Sequence, residues 1–515
     1  MDFSYIKSKV ESKGFNTNAA VTQSSLYSVI TRSQLFSNTN RLNAGWGRGK
    51  IVIAKYDNSS KSINEYLEQW RVLTQKYNDQ YLCIEVSQDD WEFYDSQCNK
   101  IEFEDIFPCS TSISKNDEKY NNIIPSIRTK PFLLLAGISG TGKSRIVKQM
   151  AFDTCSNIDD LQKDKTSPGN YQLIEVKPNW HDSTEVLGYE SEIGGKHYVT
   201  TPFVKFLVKA MLYEDKVPFF VCMDEMNLAP VEQYFAEFLS VLESRKLIDG
   251  RITSESLIPA DVFKEYEYKG LKAELSGRTE ERGNGYEGAN LTEEEEEYGN
   301  FNIIYDRLKK EGLRIPSNLI VVGTVNMDET THQFSRKVID RAMTIEMNIA
   351  DGTDPFADFF NNDAELDYRT EPLDKDLFLP KVVQAKEALG EIAKLNASDV
   401  DYLKAKIPAL LSNLNEALNG TPFKIAYRVQ NELVIYFFEL RREEKNKDTT
   451  AETLLIQAMD AILMQKVLPR VEGDEDLLEK PLEKLHAFTQ NYENAHAKVE
   501  EMQARLNAHF TSFWP

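Results

Sequence analysis

The apolar run Pro131–Ala136 is followed at once by Gly137-Ile138-Ser139-Gly140-Thr141-Gly142-Lys143-Ser144, and few folds accept that succession. A run of this length reads as a buried strand, and Ile146, Val147, Met150 and Ala151 beyond it fall on one face of a helix. Between the two, the pattern G-x-x-x-x-G-K-S lets backbone N–H groups turn inward around a phosphate chain. Lys143 then reaches the terminal phosphates, Ser144 offers its hydroxyl to Mg²⁺, and the helix aims its N-terminus at the anion. The expectation is a nucleotide site built from Gly137, Ser139, Gly140, Thr141, Gly142, Lys143 and Ser144.

The rest of the composition bounds that expectation. The 515 residues suffice for roughly two to four domains. Hydrophobic residues at 41 % and charged ones at 28 % place the chain with ordinary soluble globular proteins. Met1–Lys7 has no apolar stretch of the signal-peptide kind, and no window approaches a membrane span, so a cytoplasmic protein with no membrane partner is expected. Cys83, Cys98, Cys109, Cys155 and Cys222 are scattered without a C-x-x-C pair, which argues for a reducing compartment and against structural zinc. The net charge of −22 opposes a broad nucleic-acid-binding face. Residues 1–120 are nearly balanced, however, with 14 basic against 16 acidic side chains. Any nucleic-acid contact is therefore local, or delegated to a partner.

Four segments follow from the patterning. Residues 1–110 form an α+β N-terminal domain with strand-like runs at Ile51–Ala54 and Tyr81–Val86 around a helix near Ile63–Thr74. Residues 111–124 read as a polar linker. Residues 125–350 carry short apolar runs separated by helical stretches, the pattern of a parallel sheet covered by helices. Those runs are Phe132–Ala136, Tyr171–Val176, Phe219–Met223, Leu319–Val325 and Met343–Met347. Within this α/β unit, residues 246–314 break the rhythm with a Gly/Arg-rich stretch and the run Glu293–Glu297, and read as a partly flexible acidic insertion. Residues 351–515 are helical. There Leu482, Leu485, Phe488, Tyr492, Val499, Met502, Leu506 and Phe510 recur three or four apart, a stripe expected to pack against the bundle.

Three further motifs suit a nucleotide. Phe219–Met223 ends in Asp224 and Glu225, where Asp224 can hold Mg²⁺ and Glu225 can orient and deprotonate an attacking water. Leu319–Val325 ends in Asn326, whose neutral amide can bond both the terminal phosphate and the lytic water. Ser335–Arg341 is basic and helical. A guanidinium there, Arg341 before Arg336, can neutralise charge spread over a transferring phosphoryl group, and surface ion pairing is the plainer alternative.

In this order the motifs resemble an AAA+ P-loop NTPase module followed by a helical lid. The finer text resembles the McrB family, the GTP-hydrolysing motor subunits of modification-dependent restriction systems. It lies in Val176–Ser183, Leu187–Tyr189, Asp224–Ala229 with Glu232 and Tyr234-Phe235, Gly323–Thr330, the Ser335–Arg341 helix and the closing Phe510–Trp514. The resemblance covers about residues 125–515 and leaves 1–120 unmatched. It implies a hexameric ring, Mg²⁺ as cofactor, hydrolysis of GTP in preference to ATP, and a separate McrC-like nuclease subunit. It also implies that Asn326 senses the γ-phosphate, that Arg341 acts across a subunit interface, and that Arg428 falls where such lids carry a second sensor arginine. A structural arginine capping that helix is the alternative for Arg428. Residues 188–202, with Gly194-Gly195, read as a β-hairpin resembling the pore-directed insertion of the McrB and MoxR branches.

One position departs from the family. Its signature is Asn-x-x-Asp after the sensor strand, whereas Asn326 is followed three residues on by Glu329, with Asp328 one place early. That bears on how a partner stimulates hydrolysis. Glu175-Val176-Lys177 imitates half of a nuclease motif, but no upstream Asp is suitably placed, so this chain is not expected to cut nucleic acid. The N-terminal domain would recognise DNA, with aromatics beside Trp46-Gly47-Arg48-Gly49-Lys50 as a base-stacking site or simply as core. The alternative function is a MoxR-like ATPase that remodels protein complexes.

Overall fold

The computed structural model describes residues 51–55, 81–85, 91–95, 99–101, 120, 123–158, 161–162, 164–214, 216–276, 293–327, 334–347, 366–444 and 449–514. The chain divides into two compact units, Met1–Asn116 and Asp117–Pro515. In the first, β1 (Ile51–Lys55), β2 (Tyr81–Glu85), β3 (Trp91–Asp95) and β4 (Lys100–Ile101) form one sheet in that order. β1 and β2 are parallel, Ile51 opposite Tyr81, and the other two pairings are antiparallel. Both apolar runs expected as strands are strands. Tyr94 is buried, so this aromatic belongs to the core. The helix expected at 63–74, together with Trp46, Arg48, Lys50 and Trp70, lies outside the described residues.

In the second unit the chain runs through α1 (Ile123–Thr129), β5 (Phe132–Gly137), α2 (Lys143–Thr154) and β6 (Tyr171–Glu175). It continues through β7 (Tyr189–Ser191), β8 (His197–Val199) and β9 (Phe219–Asp224). Four short strands follow, β10 (Lys246–Ile248), β11 (Arg251–Thr253), β12 (Ser256–Ile258) and β13 (Leu313–Arg314), then β14 (Leu319–Asn326) and β15 (Met343–Glu346). Five of these make one wholly parallel sheet in the order β15-β5-β14-β9-β6. Strands covered on both faces need apolar residues at successive positions, and each is one of the runs read from the sequence. All of β14 is buried, as are Phe132–Ala136 and Phe219–Met223, whereas the edge strand β6 leaves Leu173 exposed. The register sets Gly137 opposite Asn326 and Glu175 opposite Asp224, so the polar C-terminal ends meet along one edge.

The reading from sequence changes in two places. Ile123 and Ile124, assigned to the linker, open α1 and are buried with the rest of that helix against β5 and β15. The insertion is more regular than expected. Asp249 and Gly250, both at positive φ, turn β10 into β11, β12 pairs with β13, and Glu293–Glu311 is one helix. The glutamate run opens that helix. Farther along, Phe301, Tyr305 and Leu308 join the main core beside Phe263. Residues 277–292 of the insertion lie outside the described set.

The C-terminal region is helical, around α3 (Tyr427–Glu443), which packs on α1. Its last helices, α4 (Glu475–Thr489) and α5 (Glu493–Leu506), form a hairpin turned at residues 490–492. The terminal stripe is therefore folded in half: Leu482 and Leu485 face inward from α4, Val499, Met502 and Leu506 from α5. Phe510 is not part of it; it sits on a short strand, Phe510–Ser512, and is more than half exposed. Among the described residues no helix is long and apolar enough to cross a membrane.

Candidate nucleotide site

The loop between β5 and α2 is shaped by its glycines. Gly140 and Gly142 have φ of 84° and 79°, and nothing lies within 4 Å of a Cβ added at either, so dihedral freedom rather than space is what they supply. Lys143 is buried, and its Nζ donates to the carbonyls of Gly137 at 3.0 Å and Ile138 at 2.7 Å. Thr141 Oγ1 donates to Ile138 O at 3.0 Å, while Ser139 is exposed. The ammonium thus lies against the loop that α2 opens from.

Beside the loop stands an oxygen-rich cluster. Asp224 Oδ1, at the end of β9, accepts from Ser144 Oγ at 2.7 Å and from Thr324 Oγ1 at 2.7 Å. Thr324 Oγ1 in turn accepts from the Glu225 backbone N–H at 3.0 Å. Glu225 Oε1 accepts from Asn326 Nδ2 at 3.2 Å, and Asn227 Nδ2 donates to Asn326 O at 3.4 Å. Three elements therefore converge, because β14 lies between β5 and β9 and carries Thr324 and Asn326 on one face. Gly323 leaves room for the side chains beneath the 225–228 turn: a Cβ there would lie 2.4 Å from Met226 Sδ and 3.0 Å from Leu134 Cδ2, so both would have to shift. The Tyr234 hydroxyl holds the Met226 carbonyl at 2.9 Å, and Trp180 packs edge-on against Tyr234. Behind the cluster, burial and the neighbouring Asp224 push the Cys222 thiol up to about 12.

The sequence named Ser144, Asp224, Glu225 and Asn326, and these are brought together. It missed Thr324 and Asn227. A signal for Thr324 existed, since it stands two residues before Asn326 in an otherwise apolar strand and must share its face.

The arginines are placed elsewhere. Among the described residues, no hydrogen bond or ion pair joins Arg336, Arg341 or Arg428 to the phosphate loop, Asp224 or Glu225. Arg336 lies over the Phe423 ring at 4.8 Å. Arg428 pairs with Glu243 at 2.9 Å and lies 3.8 Å from Asp340, which Arg470 also binds at 2.8 Å. Partial desolvation would raise the Glu243 carboxyl, but Lys130, Arg428 and Arg341 around it hold it below the usual range. Arg428 is thus tied into the seam between sheet and helical region. Asp328 and Glu329 lie outside the described residues.

The expected hairpin is formed by β7 and β8, Glu190 opposite Tyr198, with Ile193 almost fully exposed at its tip. A separate cavity of about 420 Å³, lined by Ile174, Lys177, Trp180, Val186 and Phe203 among others, flanks β6 and contains none of the expected site residues.

Ser144 and Asp224 offer hydroxyl and carboxylate oxygens, the donor set that Mg²⁺ prefers. Residues 384–510, in the helical region, match a family described as a domain of unknown function (DUF8727). No curated protein is similar enough to the chain to count as a match.

Proposed function

We propose that residues 125–515 form an AAA+-type nucleoside triphosphatase that acts as an McrB-like, GTP-hydrolysing motor. The observation that carries this reading is the cluster Ser144–Asp224–Thr324–Glu225–Asn326 at the C-terminal edge of a parallel sheet, beside a glycine loop that opens a helix. Ligands of open α/β sheets bind at that edge.

The backbone N–H groups of residues 139–144 bind the phosphates, and Lys143 exchanges its carbonyl partners for phosphate oxygens. Ser144 and Asp224 would hold Mg²⁺. When bound, that ion supplies positive charge beside the phosphates. Asn326 fixes one oxygen of Glu225, leaving the other to take a proton from water as the water oxygen attacks the terminal phosphorus. The bond from that phosphorus to the bridging oxygen breaks, and the nucleoside diphosphate leaves with the electron pair. Arg341 would act on a neighbouring subunit of a hexameric ring, with Arg336 as the second choice. Arg428 would couple the lid to the sheet through Glu243 and Asp340. The DNA-recognising role of residues 1–110, the McrC-like nuclease partner and the place in a restriction defence rest on the sequence resemblance.

Turnover of GTP against ATP by the purified chain, with Glu225→Gln beside it, tests the reading. GTP turnover lost in the variant is the expected result. Absence of hydrolysis in the wild type, or equal rates in both proteins, overturns it. ATP preference would move the reading to a MoxR-like remodelling ATPase, which the net charge of −22 also suits.

A further inference from the structure

Two of the six histidines of the chain meet on the helical hairpin α4–α5, far from any expected site residue in sequence. His496 and Glu500 are four residues apart on α5 and so share a face. His486 reaches the same point from α4. His486 Nε2 lies 3.5 Å from Glu500 Oε1, His496 Nε2 lies 3.7 Å from the same oxygen, and the two rings are 4.4 Å apart. One ligand atom from each residue falls within 4.8 Å of the others. Ligands of a tetrahedral zinc ion stand about 3.3 Å apart. The partly exposed His486 and the exposed Glu500 have the rotational freedom to close that difference.

A second observation concerns the orientation of His496. The fully buried Thr489 has a single hydroxyl proton, which it donates to His486 O at 3.3 Å. Its Oγ1 stands 3.1 Å from His496 Nδ1 and, with that proton on the carbonyl, can accept the ring's N–H. The tautomer that makes this bond keeps its lone pair on Nε2, the nitrogen that faces Glu500. Ligating histidines are held in this way, by an outer partner on the other ring nitrogen.

We propose that His486, His496 and Glu500 form a binding site for one divalent transition-metal ion of the zinc class, with Thr489 orienting His496 and solvent completing the shell. The site is independent of the nucleotide reading. It is also one that cysteine spacing does not test, since it contains no thiol. Two imidazoles and one carboxylate favour Zn²⁺, Ni²⁺ or Cu²⁺ over Mg²⁺ and Ca²⁺. Its consequence is a cross-link between α4 and α5, since the ligands come from both.

The experiment uses tag-free full-length protein, stripped with a chelator and kept in excess Mg²⁺ so that oxygen-donor sites are filled. Zn²⁺ is titrated calorimetrically, and melting is followed with and without it. One equivalent is expected to bind and to raise the melting temperature. Both responses should be lost in the His486→Ala/His496→Ala double variant. Thr489→Val keeps all three ligands and the buried volume, and should weaken Zn²⁺ binding about tenfold. No Zn²⁺ bound by the wild type, or the same binding and melting response in the double variant, overturns the site. Should the double variant fail to fold, Thr489→Val decides: a tenfold loss supports the site, and unchanged affinity overturns it.

Discussion

At the C-terminal edge of the parallel sheet, the carboxylates of Asp224 and Glu225 are met by hydroxyls and an amide. At the seam between sheet and helical region, the carboxylates are met by cations. Arg128 on α1, wholly buried, bonds Glu443 at 2.6 Å, Glu439 at 3.4 Å and Leu377 O at 2.7 Å. Lys466 bonds Glu432 at 3.1 Å and the carbonyls of Asp340 and Ala342 at 2.7 and 2.8 Å. Among the described residues no basic side chain lies within ion-pairing distance of Asp224 or Glu225. The seam neutralises its charge internally and needs no ligand. The edge leaves two half-buried carboxylates held by neutral groups alone, the arrangement that the proposed nucleotide site would use.

Glu225→Gln offers the largest test of this contrast. It should lower nucleotide turnover by about 10²–10⁴-fold, with little change in melting temperature, as read by a coupled phosphate-release assay and calorimetry. Arg128→Met should do the reverse. Removing it leaves Glu443 without its paired cation and Glu439 with Arg442 alone, and should cost about 3 kcal/mol in denaturant unfolding. If Arg128→Met instead abolished turnover while leaving stability intact, the division between joint and site would fail.

Thr324→Val sharpens the contrast, because Thr324 serves both purposes. The buried hydroxyl bridges Asp224 and the Glu225 N–H, so its loss should cost about 1–3 kcal/mol of stability. It should also lower turnover, by less than Glu225→Gln does. The smallest effect concerns the buried thiols behind the sheet. Burial raises the Cys155 thiol from its ordinary 9.0 to about 11, so the folded chain keeps a proton that the unfolded chain loses. Its contribution to stability is present below pH 9 and is lost as pH rises from about 9 to about 11. The stability difference between wild type and Cys155→Ala should therefore shrink across that window, and folded Cys155 should resist thiol reagents at pH 8.

Much of this edge was legible in the sequence. Strands buried on both faces announce themselves as unbroken apolar runs, and the residue ending each run, Gly137, Asp224 or Asn326, falls at the edge by topology. The cation pairings were not legible. Arg428 chooses Glu243 and Asp340, 185 and 88 residues away in sequence, and only tertiary packing brings them together. The helix Glu293–Glu311 was not read because its glutamate run was weighed by composition, although Phe301, Tyr305 and Leu308 already held helical spacing behind it. The Asp249-Gly250 turn was a readable hairpin signal. Periodicity gave the terminal stripe its buried face but not its fold-back, since the short break at 490–492 interrupts the helix and leaves the spacing nearly intact. The same fold-back brings His486 and His496 together, ten residues apart, a spacing that no single helix would put on one face.

Glu225 sits in the left-handed region, at φ 51° and ψ 50°, one of three non-glycine residues at positive φ among the described residues. Holding a side-chain-bearing residue there costs about 1 kcal/mol or more. Glycine at this position would relieve that cost while erasing the carboxylate. A library of this chain sorted for heat resistance alone should therefore enrich Glu225→Gly, and sorting for turnover should remove it. At this one residue the two selections pull apart, so thermal robustness is a misleading guide to which variants still work.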